Sequence, residues 1–258
     1  MITALITARG GSTRIPGKNL YPLCGHPLVA WSVMQALAAK QIDRVLLTTD
    51  NDEIAAVGEK YGAQVIRRPV WENGTTAGVP FRHAMEQVSP CDHILTMLPT
   101  SPLKKPDDLD NMISLYLELD TNVLTTAAPL KETCILINEH SYEQRYGESH
   151  NEPGKRQRTD HFTAWNYIFD KFWNYSRLCG GWGIAEYNWS MEKWGKNPKL
   201  DIEIDKGELD TSTLNNYYAV EEWQCYELDY PEDIPIVECF MEQFILKGRD
   251  AKDVYFGN

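Results

Sequence analysis

The sequence predicts an α/β protein built on a mostly parallel sheet, and three observations carry that expectation. Apolar runs alternate with helix-forming segments through residues 1–66 in the order strand, helix, strand, helix, strand. A glycine-rich loop follows the first apolar run directly, the position at which open α/β sheets bind ligands. The chain has 258 residues, 43% of them hydrophobic and 24% charged, which is long enough for one large domain with a complete core.

The elements follow in chain order. Met1–Thr7 is an apolar run that reads as a buried first strand. Leu28–Ala39 is rich in helix formers and apolar on most sides, as a buried crossover helix is. Arg44–Asp50 is the second strand, Asp52–Tyr61 a helix closed by Gly62, and Ala63–Ile66 a short third strand running into Arg67-Arg68-Pro69. Val79–Val88 is the next helix, and Asp92–Leu98 a strand that enters Pro99-Thr100-Ser101-Pro102-Leu103-Lys104. Asp107–Leu119 and Asn122–Ala127 complete a helix and a fifth strand, so that right-handed crossovers put all five C-terminal loops on one edge. From Pro129 to Lys199 the periodicity weakens, and five of the eight tryptophans fall between Trp165 and Trp194. Further on, Trp223–Asp229 reads as a strand and Pro231–Phe244 as a proline-started helix. There is no internal repeat.

Charge and cysteine usage narrow the function. A net charge of −12 and a pI near 5.0 argue against nucleic acid or an anionic membrane as the partner. No window approaches a membrane span, and no export signal is read at the N-terminus. Six cysteines without Cys-x-x-Cys spacing argue against zinc and suggest reduced thiols in a cytoplasmic enzyme.

Against that acidic background, residues 8–19 carry Arg9, Arg14 and Lys18 and no acid. Gly10, Gly11 and Gly17 let the backbone turn sharply, and consecutive N–H groups in such a loop form an anion-binding concavity. A bound polyphosphate explains the combination; a solvated basic turn is the plainer alternative. Neither common glycine motif fits, because Gly17-Lys18 is followed by Asn19 rather than Ser or Thr, and Pro16 interrupts any dinucleotide fingerprint.

The loop does resemble the nucleotide-binding signature of the sugar-activating cytidylyltransferases, the acylneuraminate (CMP-sialic acid) synthetase family. That pattern runs Ala-Arg-x-x-Ser-(Lys/Arg)-x-x-Pro-x-Lys-Asn, and Arg9, Ser12, Pro16, Lys18 and Asn19 match it in register, with Thr13 in the place of the usual cation and Arg14 one residue later. Thr48-Thr49-Asp50 resembles the family's Ser-Thr-Asp, and Leu98–Lys104 its Gln-Pro-Thr-Ser-Pro-Leu-Arg, with Leu98 for Gln and Lys104 for Arg. The resemblance implies a Rossmann-like three-layer α/β/α domain, in which residues 129–199 are an inserted dimerisation and acceptor-binding segment of a single 1–258 unit. An aromatic mini-core is the alternative for that segment.

The resemblance also implies an activity: coupling of CTP to an acidic sugar or related anion, giving a CMP-linked product and pyrophosphate. Arg9 and Lys18 take the catalytic role of drawing off charge on the phosphates. Ala8, Gly10, Gly11, Ser12, Arg14, Asn19, Arg68 and Thr76 join them in binding the nucleotide, and Thr100, Ser101, Lys104, Arg156 and Arg158 face the acceptor. The run Lys155–Arg158 is otherwise a solvated charge run. Glu227 and Asp229 correspond to the carboxylates that hold magnesium, and two residues of spacing on a strand put them on one face, opposite Leu228. Asp201, Glu203 and Asp205 alternate in the same way and compete for the metal. A small anionic acceptor and a homodimer are the expected partners. Another nucleotide, a phosphonate or sugar-phosphate acceptor, or a non-catalytic nucleotide-binding protein stay open.

Overall fold

The computed structural model describes residues 1–71, 78–119, 123–129, 176–193 and 217–257. Within them the chain runs β1 (Ile2–Ala8), β2 (Pro22–Leu23), β3 (His26–Pro27), α1 (Leu28–Ala38), β4 (Arg44–Thr49), α2 (Asp52–Tyr61), β5 (Gln64–Arg67), α3 (Gly78–Glu86), β6 (His93–Met97), α4 (Pro106–Glu118) and β7 (Val123–Pro129). It continues with β8 (Ser176–Glu186), α5 (Tyr187–Lys193), β9 (Tyr217–Ala219), α6 (Asp233–Phe240), a π-helical extension Met241–Leu246, and α7 (Ala251–Phe256). Seven strands form one sheet in the order β5-β4-β1-β6-β8-β7-β9.

The β1–β4, β4–β5, β1–β6 and β7–β9 pairs are parallel, whereas β8 is antiparallel to both β6 and β7. The five expected strands therefore share one direction, and their C-terminal loops lie on one edge. β8 lies within the 129–199 stretch expected to project, yet Ser176–Glu186 is an inner strand of the sheet. That part of the segment belongs to the α/β body, because the gap between β6 and β7 needs a strand to satisfy both ladders.

Side chains alternate across β1 and so build two separate cores. Ile2, Ala4, Ile6 and Ala8 pack with Val29 and Val33 of α1, Ile54 of α2 and Met112 and Ile113 of α4. Leu5, from the opposite face, packs with Leu46, Ile66, and Phe81, Ala84 and Met85 of α3. This is the three-layer α/β/α arrangement. A third cluster explains why α1 is apolar on most sides: Leu28, Trp31 and Met34 turn away from the sheet onto Val237, Met241, Ile245 and Tyr255. The C-terminal helices thus cover the outer face of α1, and the same cluster takes in Ile15 and Leu228 from the site loops.

Two sequence expectations change near the C-terminus. Trp223–Asp229 is not a strand: Glu222–Cys225 forms a 3-10 turn opened by a capping box between Glu221 and Gln224, and residues 226–229 belong to no strand. The helix expected over Pro231–Phe244 begins at Asp233 and passes into the π-helical turn, which Lys247 ends with φ 53°. Cys24, Cys91 and Cys239 are free thiols, but Cys225 is disulfide-bonded, a correction to the all-reduced reading. Spacing along the chain carries no information about which thiols meet in space.

Candidate active site

The basic loop leaves β1 and folds across the ends of β4 and β5. Gly10 lies so close to Asn51 that a Cβ on it would stand 2.9 Å from the Asn51 Cβ, so the loop can approach only as glycine there. The Gly10 N–H donates to Asp50 Oδ1 at 2.7 Å, and Ser12 N–H donates to Gly10 O at 3.1 Å. These two N–H groups are engaged within the protein and do not contribute to the anion concavity expected from the glycines. Gly17, at φ 66°, turns the chain into a 3-10 turn over Lys18–Leu20. Asn19 is buried beneath the loop, where its Nδ2 donates to Arg9 O at 2.9 Å and its Oδ1 has no protein partner.

The cations are held in place by acids. Lys18 Nζ sits 2.8 Å from Asp229 Oδ1 and also donates to Leu228 O at 3.1 Å. Arg14 reaches the same carboxylate oxygen at 3.8 Å and lies over the Tyr230 ring, 4.8 Å from its centroid. Arg68 Nη1 is 3.2 Å from Asp50 Oδ2, with both side chains nearly enclosed at 6% and 9% exposure, and its guanidinium lies over Trp71 at 5.0 Å. Burial lowers the Arg68 pKa, Asp50 opposes that, and Arg9 lowers it further. Arg9 itself is exposed. Arg68 Nε is buried without a protein partner. An unpaired buried donor or acceptor costs about 1–3 kcal/mol, so Arg68 Nε and Asn19 Oδ1 mark a place where a polar ligand would be stabilised.

The second loop, after β6, turns its polar groups inward. Lys104 is 1% exposed, and its ammonium donates to Leu98 O at 3.0 Å, to Ser32 Oγ at 3.4 Å and to Ser101 O. Burial lowers its pKa to about 7, with Glu227 opposing. Ser101, also buried, donates from Oγ to Glu227 Oε1 at 3.0 Å, and Thr100 O accepts from Leu228 N at 2.7 Å. Lys104 and Ser101, expected to face the acceptor, are turned into their own loop, where the lysine ammonium is taken up by two carbonyls and the Ser32 hydroxyl. Thr100 is half-buried at the edge.

Residues 226–233 face the basic loop. Leu228 is fully buried between Glu227 and Asp229, so the expected alternation holds without a strand. Asp233 Oδ2 accepts from the N–H groups of Asp229 and Tyr230 and fixes that turn. Glu227 is drawn to Ser101 and Asp229 to Lys18, so each carboxylate already has a partner. Two carboxylates joined by ligand phosphates suit a hard, oxygen-seeking cation, and among the described residues no group of three or more His, Cys, Asp or Glu is placed to hold a metal. Thr76, Arg156, Arg158 and the Asp201, Glu203, Asp205 segment lie outside the described residues. The sequence reading quoted Asp50 as part of the Ser-Thr-Asp resemblance but gave it no role, and it gave none to Trp71, Tyr230 or Asp233, for which an acid or aromatic near a basic loop was the only signal.

Residues 3–159 match the family model described as Cytidylyltransferase. N-acylneuraminate cytidylyltransferase of Oncorhynchus mykiss is 26% identical over 259 residues, covering 96% of this chain and 57% of that protein. Pseudaminic acid cytidylyltransferase of Campylobacter jejuni is 29% identical over 156 residues, covering 57% of this chain and 67% of that one. CMP-N,N'-diacetyllegionaminic acid synthase of Legionella pneumophila is 32% identical over 122 residues, covering 45% and 53%. The chain thus spans little more than half the length of the Oncorhynchus mykiss protein. Among solved structures, CMP:2-keto-3-deoxy-manno-octonic acid synthetase complexed with CTP superposes with a TM-score of 0.65 at 16% identity, over 94% of this chain and 98% of that one. A cytidylyltransferase from Leptospira borgpetersenii gives 0.59 at 16% identity, over 98% and 91%. At such identities the superpositions establish the shared fold.

Proposed function

The chain belongs to the cytidylyltransferase family, and from that membership we propose that it transfers the CMP group of CTP to an acidic sugar or related anionic acceptor. The observation that carries the reading is the pair of cations Arg14 and Lys18 at one edge of the sheet, both held by Asp229, an acid that a phosphate could replace, with Arg68, held by the enclosed Asp50, proposed to meet the nucleoside. In the reaction an acceptor oxygen attacks the α-phosphorus, the bond to the bridging oxygen breaks, and its electron pair leaves with pyrophosphate. Charge builds on phosphate oxygens, so the protein contributes positioning and electrostatic stabilisation. Lys18 would exchange Asp229 for a phosphate oxygen, and exposed Arg9 would close on the triphosphate beside it. The relatives' names point to sugar acids as acceptors. With Lys104 turned inward, Arg156 and Arg158 are the residues proposed to meet that anion.

Magnesium is the proposed cofactor, with Asp229 and Glu227 as its protein ligands; when bound it would neutralise charge on the triphosphate. The proposal extends to a homodimer formed through the aromatic stretch of residues 129–199, checked by light scattering at micromolar concentration. It extends also to a cytoplasmic setting, supported by the free thiols at Cys24, Cys91 and Cys239, with Cys225 the exception.

Pyrophosphate release screened over the four nucleoside triphosphates and a panel of acceptors, with and without magnesium, tests the whole reading. CTP with an acidic sugar should give the fastest turnover. A neutral aldose accepted better than every anion would overturn the acceptor class, and no turnover with any pair would favour a non-catalytic nucleotide-binding protein. Asp229→Asn should abolish magnesium-dependent pyrophosphate release while nucleotide binding without metal persists; full activity would move the metal to Asp201, Glu203 and Asp205.

A further inference from the structure

Asp50 stands at the end of β4 between two groups that the sequence separates widely. Its Oδ1 accepts from the N–H of Gly10, in the loop after β1, at 2.7 Å, and its Oδ2 from Arg68 Nη1, after β5, at 3.2 Å. The carboxylate is almost fully enclosed, and so is the guanidinium, which Trp71 covers on one face. A buried guanidinium has a rigid donor fork, so engaging one terminal nitrogen fixes the direction of the others. Arg68 Nε is a buried donor without a protein partner. The Arg68 backbone is tied to the same strand end, its N–H donating to Thr49 O at 2.9 Å.

We propose that Asp50 is a positioning residue that locks the glycine-rich loop and Arg68 into one register, so that the nucleoside and the phosphates of one ligand are met at a fixed separation. The proposal rests on the nucleotide-binding reading above and deepens it by naming what selects a nucleotide over bare polyphosphate. Polyphosphate needs the loop cations alone, whereas a nucleotide needs those cations and Arg68 at the correct distance. Asp50→Asn separates the two ends: the amide oxygen still accepts from Gly10, but the amide nitrogen turns a donor toward the donors of Arg68. A merely structural role for Asp50 would weaken both ligands alike.

The test is calorimetric titration of the full chain with CTP and, separately, with inorganic tripolyphosphate, using wild type, Asp50→Asn, Arg68→Ala and the double variant. Losing an ionic hydrogen bond corresponds to roughly 10–100-fold in affinity, so the Kd for CTP should rise by about that factor in Asp50→Asn, while that for tripolyphosphate stays within about 2-fold. The double variant should bind CTP no more weakly than Arg68→Ala alone, since both substitutions remove one arrangement. Equal losses for the two ligands, or additive losses in the double variant, overturn the proposal while leaving the enzymatic reading intact. Wild type that binds tripolyphosphate but discriminates against CTP overturns the enzymatic reading and this one with it. Should Asp50→Asn fail to fold, Arg68→Lys carries the test, because its ammonium can face Asp50 but lacks the second donor nitrogen of the guanidinium fork; its loss must again be confined to CTP.

Discussion

Two loops leave the same edge of the sheet, each with a lysine, and they use it in opposite ways. Lys104, after β6, is enclosed and donates to the oxygens of Leu98, Ser101 and Ser32, none of which carries charge. Lys18, after β1, is 12% exposed at the side chain and rests on the carboxylate of Asp229, itself 32% exposed. The first ammonium has no partner that a solute could replace. The second has one, since a phosphate oxygen can take the place of a carboxylate oxygen at little cost. Burial turns the same chemical group into a brace in one loop and an exchangeable contact in the other.

Substitution should make the two lysines diverge. Lys104→Ala removes a large buried side chain and leaves carbonyls unpaired, which should cost about 3–5 kcal/mol of stability in chemical denaturation. Lys18→Ala should leave stability within about 1 kcal/mol. It should instead lose about 1.5–3 kcal/mol in triphosphate binding or turnover with saturating acceptor, and Arg9→Ala should behave likewise. Equal stability losses in Lys104→Ala and Lys18→Ala would erase the distinction between brace and contact.

The pH dependence sharpens the same comparison. Burial lowers the folded pKa of Lys104 to about 7 from the ordinary lysine value of 10.5, so between those values the unfolded chain binds a proton that the folded one does not. Stability should therefore rise with pH across that window through this group, by about 1.4 kcal/mol per pH unit at the steepest, with the penalty fully present below pH 7. The raised pKa values of Cys24 and Tyr255 act in the opposite sense at alkaline pH, so the quantity to measure is the difference between wild type and Lys104→Met. Parallel profiles for the two proteins would count against it. The smallest effect belongs to Arg14, whose contact with Asp229 is long and whose stacking on Tyr230 is partly exposed. Arg14→Ala should weaken triphosphate binding by about 0.5–1 kcal/mol, and Tyr230→Leu by less.

Much of the fold was legible because it is local. Gly62 closes α2 at φ 99°, and the apolar run of β1 is buried on both faces, as a central parallel strand requires. β8 was harder to read because its glycines and aromatics carry no alternation, and what makes it a strand is the pair of unfilled ladders on β6 and β7. The segment at 223–229 was misread because its acid–apolar alternation looks the same whether or not a neighbouring strand is present. Leu228 is inward in either case, anchored by Thr100 O.

By itself the sequence determined five strands of the sheet, their common direction and the loop that gathers positive charge, since strand periodicity, caps and glycine spacing act over a few residues. It also determined which residue types could meet a phosphate. Only the tertiary structure decided which cations are exchangeable and which are spent inside the protein. Lys18 and Lys104 are both lysines in proline-containing loops behind apolar strands, and nothing local distinguishes them. Their difference comes from what lies across the edge of the sheet: Asp229 is 211 residues from Lys18 and Glu227 is 126 from Ser101. The depth at which a charge is buried, and the charge it meets there, are set by packing between distant segments, which is information that no window of the sequence contains.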